Sequence, residues 1–194
     1  MPWLKQLIDI LKRQRKHAGF FEWPDKPIKE LGVVKRLFES MEKSGGCPYA
    51  NPQSTDKDPP DCIAFDKDGN IIAVEVSEIV DQDTVRQAAR GSADWKFWNE
   101  KEVLDRLERI LLSKDKKHYH GQPYSKIVLV IFTDEPFLEP NDIVPTIEMH
   151  QFPKVTTINE AYLLFSYDPR VHSYPFVKLI ISPNQSLKSD LQNR

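Results

Sequence analysis

The chain has 194 residues, enough for one domain with a sizeable hydrophobic core. Its 27 lysines and arginines nearly balance 29 aspartates and glutamates, so the formal net charge of −2 excludes a globally basic nucleic-acid binder but leaves room for a local basic face. Two cysteines without zinc or disulfide spacing suit a reducing cytoplasm. No apolar run reaches the roughly 18 residues of a membrane span and no signal-peptide cleavage site is evident, so we expect a cytoplasmic protein with no membrane partner.

The N-terminal half predicts two helices and a loop. An amphipathic helix is expected over 3–16, followed by a basic run. In one interpretation this helix packs on the domain or on a partner, and in the other it binds nucleic acid or a membrane surface. A second helix is predicted over 27–43, where apolar residues recur at helical spacing before Gly45-Gly46. The proline-rich stretch 47–60 predicts a loop that could include a short edge strand.

A β-hairpin is the clearest local prediction. Two apolar runs rich in β-branched residues flank a turn that contains Lys67-Asp68-Gly69. If these three residues form the loop, paired positions sum to 136, so that Phe65 faces Ile71 and Asp61 faces Glu75. The register therefore predicts two carboxylates side by side at the open end of the hairpin, on one face of the sheet.

The remaining elements alternate helix and strand. Residues 82–93 are helical or irregular in our interpretation, and the elements expected after them are a long helix over 94–117, a buried strand over 126–132, a helix with a central proline over 141–150, and strands over 161–167 and 176–181. This order predicts an α/β fold with a mixed central β-sheet flanked by helices. We expect an appended helix at 1–19, one domain at 20–183 and a polar tail at 184–194. A homodimer could form through the N-terminal helix or the C-terminal third.

Two adjacent carboxylates favour a hard divalent cation, because their mutual repulsion is otherwise unfavourable. Asp61 and Glu75 are therefore candidate ligands of Mg²⁺ or Mn²⁺, although each alone could be an ordinary turn or strand-end residue. At about 100° per residue, Glu30 falls within the apolar stripe of its helix. A core-facing carboxylate needs a partner, unless Glu30 simply benefits from the helix dipole near the N-terminus.

The same helical arithmetic selects lysines on the long helix. Lys114 continues the core stripe and Lys117 lies beside it, whereas Lys116 points to solvent. The alternative is that both core-side lysines extend their ammonium groups to water from the end of the helix.

Together these residues resemble the PD-(D/E)XK nuclease superfamily, which has the restriction-endonuclease-like fold. That pattern has an acidic residue on a first helix, Pro-Asp opening a strand, Asp/Glu-x-Lys on a second strand, and then a helix and another strand. The matches here are Glu30, Pro60-Asp61 and Glu75-Val76-Ser77, within roughly residues 27–133. Ser77 stands where the family has its lysine, and a hydroxyl cannot supply that positive charge. Some members recruit the lysine from the following helix, and Lys114 is the candidate here.

The resemblance implies a metal-dependent nuclease that hydrolyses phosphodiester bonds in DNA or RNA. Asp61 and Glu75 would hold Mg²⁺ or Mn²⁺, Glu30 would orient the nucleophile or bind the metal through water, and Lys114 would stabilise the developing charge. Nucleic-acid phosphates could draw on three further side chains, Arg109, Lys116 and Lys117. The alternatives are a catalytically inactive nuclease-fold protein that binds nucleic acid or protein, and an unrelated α/β interaction domain.

Overall fold

The computed structural model describes residues 25–56, 58–81, 96–119 and 122–183. The predicted helix over 3–16, the segment 82–93 and the tail at 184–194 lie outside the described residues. The described helices are α1 (Lys26–Lys43), α2 (Glu100–Asp115) and α3 (Pro140–Met149). The strands are β1 (Tyr49–Ser54), β2 (Cys62–Asp66), β3 (Ile71–Ile79), β4 (Lys126–Thr133), β5 (Gln151–Val155), β6 (Glu160–Leu164), β7 (Phe176–Lys178) and β8 (Ile180–Pro183).

The strands form a six-stranded mixed sheet in the order β1-β2-β3-β4-β6-β7, beside a two-stranded sheet of β5 and β8. The first three strands are antiparallel neighbours, β3, β4 and β6 run parallel, and β7 is antiparallel to β6. The chain crosses from β3 to β4 through α2, as a parallel pair requires. The predicted α/β class with a mixed sheet and flanking helices is confirmed.

Hydrophobic clusters cover both faces of the large sheet. On one face, α1 packs Val34 and Leu37 over even-numbered residues of β3 such as Val74. On the other face, α2 packs side chains including Leu107 over odd-numbered positions such as Ile79. Because side chains alternate along a strand, the even-numbered residues of β3 face α1 and the odd-numbered residues face α2.

Several element boundaries differ from the predicted ones. Helix α2 begins later than the predicted residue 94, because the Asn99 side chain accepts from the Glu102 N–H while Glu102 caps the Asn99 N–H. The loop expected over 47–60 contains the edge strand β1. Strand β5 was not predicted, and the single strand expected over 176–181 is divided into β7 and β8, which belong to different sheets. None of the helices in the described ranges is long and apolar enough to cross a membrane.

Candidate functional site

The hairpin of β2 and β3 fixes the register of the candidate site. The Asp66 carboxylate accepts hydrogen bonds from the Asp68 and Asn70 N–H groups, and Gly69 takes a positive φ of 81°. The observed pairs, from Phe65 with Ile71 to Cys62 with Val74, follow the predicted register. Asp61 therefore immediately precedes β2, at the end of the hairpin where Glu75 lies.

Asp61 is buried where the ladder between β2 and β3 stops. Its Oδ2 atom accepts a hydrogen bond from the Val76 backbone N–H at 2.8 Å. The carboxylate thus satisfies a strand N–H that no longer has a backbone partner on β2. This bond ties Asp61, just before β2, to the backbone of β3 at the residue that follows Glu75.

Glu75 is the central residue of the site. It lies near the middle of β3, is 0% exposed and occupies the sheet face covered by α2. Its Oε1 atom receives hydrogen bonds from the ammonium groups of Lys114 and Lys117, both at 2.5 Å. Its Oε2 atom is buried and has no hydrogen-bond partner within the described structure. A buried anion is tolerated only when it is paired, and these two lysines supply that pairing.

The end of α2 places the two lysines over β3. Lys114 also donates to the Val76 backbone carbonyl at 3.2 Å, so its ammonium group is tied to the strand as well as to Glu75. The next residue, Asp115, accepts hydrogen bonds from three consecutive backbone N–H groups, those of Thr156, Thr157 and Ile158. These bonds fix the helix end against the turn between β5 and β6.

Glu30 approaches from the other side of the sheet, where it projects from α1. It is 9% exposed, so the predicted core-facing direction is confirmed. Burial, followed by repulsion from and hydrogen bonding with the Asp61 carboxyl, raises the pKa of Glu30 to about 7 against the lowering effect of Lys26. Glu30 thus exchanges its proton near neutral pH, beside a second carboxylate.

Sequence reasoning missed two charged residues of the site, Lys26 and Asp58. The Lys26 ammonium lies 3.3 Å from Glu30 and 3.8 Å from Asp61. Asp58 contacts Lys26 at 3.4 Å and Lys117 at 3.7 Å. The i,i+4 spacing of Lys26 and Glu30 was a usable signal for the lysine. The position of Asp58 depends on a loop path that the sequence does not specify.

Two predicted phosphate-binding residues lie away from the carboxylates. Arg109 is exposed on α2 and donates to the Asp105 carbonyl one turn earlier. Lys116 is exposed just after α2. In the described ranges neither contacts Asp61 or Glu75, whereas Lys117 does contact Glu75. Of the predicted phosphate contacts, the structure brings Lys117 alone to the acidic residues.

Ser77 lies two residues beyond Glu75 on β3 and therefore shares its sheet face. Its hydroxyl carries no charge, as expected from the sequence. Lys114 instead brings an ammonium group to that face, from the helix that follows the strand. Lys114 on α2 can therefore supply the positive charge that the motif lysine would supply from the position of Ser77.

The donor set offers an incomplete metal site. Among the described residues, no group of three or more histidine, cysteine, aspartate or glutamate side chains is arranged to hold a metal ion. Glu75 has one buried oxygen, Oε2, without a hydrogen-bond partner in the described structure, and carboxylate oxygens are the ligands that hard cations prefer.

The chain was compared with known proteins in three ways. No family model, curated protein or solved structure matches it.

Proposed function

We propose that this protein is a metal-dependent nuclease with a restriction-endonuclease-like fold, acting on phosphodiester bonds of DNA or RNA. The observation that carries the proposal is the environment of Glu75. A fully buried carboxylate with two lysines on one oxygen and no partner on the other is costly for stability. Such arrangements are typical of functional sites, where charge is concentrated for binding or catalysis.

The order of elements supports the same proposal. An acidic residue on α1, Pro60-Asp61 before β2 and Glu75 on β3 are followed by α2 and the parallel strand β4. This is the sequence of elements and acidic positions in the PD-(D/E)XK pattern. The cationic position differs, since Lys114 approaches from α2 while Ser77 occupies the strand position.

Each residue has a distinct role in the proposed reaction. Asp61 and Glu75 would hold Mg²⁺ or Mn²⁺, which when bound polarises the phosphodiester and lowers the pKa of an attacking water. Glu30, with a pKa of about 7, orients that water and can take up its proton at neutral pH. Lys114 stabilises the negative charge that develops on the phosphoryl oxygens.

A second candidate function is a nuclease-fold module that binds nucleic acid or protein without cleaving it. It is favoured by the pairing of the site's lysines with Glu75, which leaves their charges already neutralised. Ser77 lacks the motif charge, and both nearby lysines are already paired with Glu75. In addition, the described residues include no three-ligand metal cluster. In this second case the buried ion pairs serve to hold the end of α2 on β3 rather than to bind a metal.

Cleavage assays on matched lysine variants separate the two functions. Purified wild type, Lys114→Ala and Lys116→Ala are incubated with plasmid, single-stranded DNA and RNA in Mg²⁺, in Mn²⁺ and in EDTA. The proposal expects metal-dependent cleavage by wild type, a loss of about a hundredfold in Lys114→Ala and little change in Lys116→Ala, because Lys114 contacts Glu75 whereas Lys116 is exposed to solvent.

Two results would contradict the nuclease proposal. Absence of cleavage by wild type on every substrate and metal would favour the binding module. Equal losses in both lysine variants would show that the lysines act through general attraction of phosphate and not through the site. A Glu75→Gln preparation purified in the same way controls for contaminating nucleases.

A further inference from the structure

An exposed carboxylate lies between lysines from opposite faces of the sheet. Asp58 is 60% exposed in its side chain, yet its Oδ2 atom is 3.4 Å from the Lys26 ammonium and its Oδ1 atom 3.7 Å from that of Lys117. Lys26 belongs to α1 and Lys117 follows α2. One carboxylate therefore bridges two cations, with one oxygen directed to each.

The same two lysines also contact the buried acids. Lys26 lies 3.3 Å from Glu30, and Lys117 lies 2.5 Å from Glu75. The Asp58 carboxylate is thus held by these two lysines at the solvent-exposed side of the candidate site. An anion bound by Lys26 and Lys117 in its place would lie directly next to the proposed reacting groups.

Asp58 is the anion that these lysines can release most easily. Its two contacts are longer than the Lys117 contact with Glu75, and exposed ion pairs of this kind contribute little to stability. Lys117 keeps its contact with Glu75 when Asp58 leaves, so it stays at the site.

We propose that Lys26 and Lys117 form a binding subsite for a phosphate group of a polynucleotide, and that Asp58 occupies this subsite as an internal anion in the free protein. The assignment of the phosphate to a polynucleotide rests on the proposed nuclease function. A phosphodiester, like Asp58, can direct one oxygen to each ammonium group. Asp58 then competes with substrate and weakens its binding.

The test uses DNA binding in EDTA, where no metal-dependent cleavage interferes. Fluorescence anisotropy with labelled single-stranded and duplex oligonucleotides measures the Kd of wild type, Asp58→Asn, Lys26→Ala and Lys117→Ala. Asp56→Asn is the matched control, because it removes the same charge from an exposed position two residues away in the same loop. Inorganic phosphate serves as a competitor that lacks the polynucleotide.

We expect Asp58→Asn to bind DNA about three- to fivefold more tightly than wild type and than Asp56→Asn, as expected for loss of an exposed competing charge. Lys26→Ala and Lys117→Ala should bind more weakly and show a smaller salt dependence. In the double variant Asp58→Asn/Lys117→Ala, the gain from Asp58→Asn should disappear, since the freed cation is absent.

Three results would overturn the subsite. Asp58→Asn could bind DNA no more tightly than wild type, or Asp56→Asn could change the Kd by the same factor. Wild type and Asp58→Asn could also both fail to bind DNA. The outcome is separable from the nuclease proposal. Tighter binding by Asp58→Asn without any cleavage by wild type retains the subsite and rejects the nuclease. Cleavage by wild type with unchanged binding by Asp58→Asn retains the nuclease and rejects the subsite.

Discussion

Neutralising Glu75 tests how the buried charges are balanced. Glu75→Gln keeps the shape of the side chain and removes the negative charge that both Lys114 and Lys117 contact. Breaking a buried ion pair by removing one partner costs about 3–5 kcal/mol when the other partner stays buried. Here the lysine side chains are 18% and 33% exposed, so both ammonium groups can turn partly to water. The amide oxygen can also still accept one hydrogen bond.

These features lower the expected cost of Glu75→Gln to about 2–3 kcal/mol. A domain of ordinary stability, about 5–15 kcal/mol, remains folded after such a loss. Urea unfolding followed by circular dichroism gives the free energy of unfolding. The matched control is Glu78→Gln on the same strand, because Glu78 pairs with Lys29 on the α1 side and burial raises its pKa. Removal of that charge should cost less than Glu75→Gln, because the Glu78 side chain is 21% exposed whereas Glu75 is fully buried.

The reverse perturbation gives the sharper result. Lys114→Ala/Lys117→Ala leaves the Glu75 carboxylate buried without a cation, which should cost more than Glu75→Gln. Adding Glu75→Gln to that double variant removes the uncompensated charge and should recover part of the lost stability. A triple variant no more stable than the double variant would refute the reasoning that Glu75 is an ionised, lysine-compensated group.

Two further predictions concern neighbouring carboxyl groups. Because burial and then Asp61 raise the pKa of Glu30 from 4.5 to about 7, its neutral form is favoured by folding and stability falls as pH rises through that window. Urea titrations should therefore find Glu30→Gln about 1–2 kcal/mol more stable than wild type at pH 8 and equal to it at pH 4, and a gain that is the same at both pH values would contradict this linkage. Partial burial acts to raise the pKa of Asp115, but N–H groups led by those of Thr156 and Thr157 outweigh it and lower the pKa below 3.8. Asp115→Ala should thus lose about 1–2 kcal/mol at pH 7, and this difference should vanish as pH falls below the lowered pKa; a loss that persists there would indicate packing rather than charge.

The predictable part of the site depends on local geometry. The turn that contains Gly69 is encoded within a few residues, so the register of the hairpin between β2 and β3 could be predicted. Helical periodicity likewise identified the core-facing directions of Glu30 and Lys114. Each of these inferences needs knowledge of one element or one turn.

The unpredicted features depend on contacts between distant segments. Asp58 reaches Lys26 and Lys117 through a loop whose path no local signal fixes. Strand β5 contains Pro153, which argues against a strand because proline cannot donate to a ladder. It forms because β8 offers a parallel partner in a two-stranded sheet that is separate from the main one. Such pairings are set by the tertiary fold and not by the segment's own sequence.

The central claim is that Asp61 and Glu75 together bind a divalent cation. Isothermal titration of the metal-free protein with Mn²⁺, in the absence of nucleic acid, measures this directly. The account predicts one Mn²⁺ per chain in wild type and in Glu78→Gln, and no detectable binding in Asp61→Asn or Glu75→Gln, each shown to be folded by circular dichroism. Absence of binding in wild type, or equal binding in all four proteins, would contradict it.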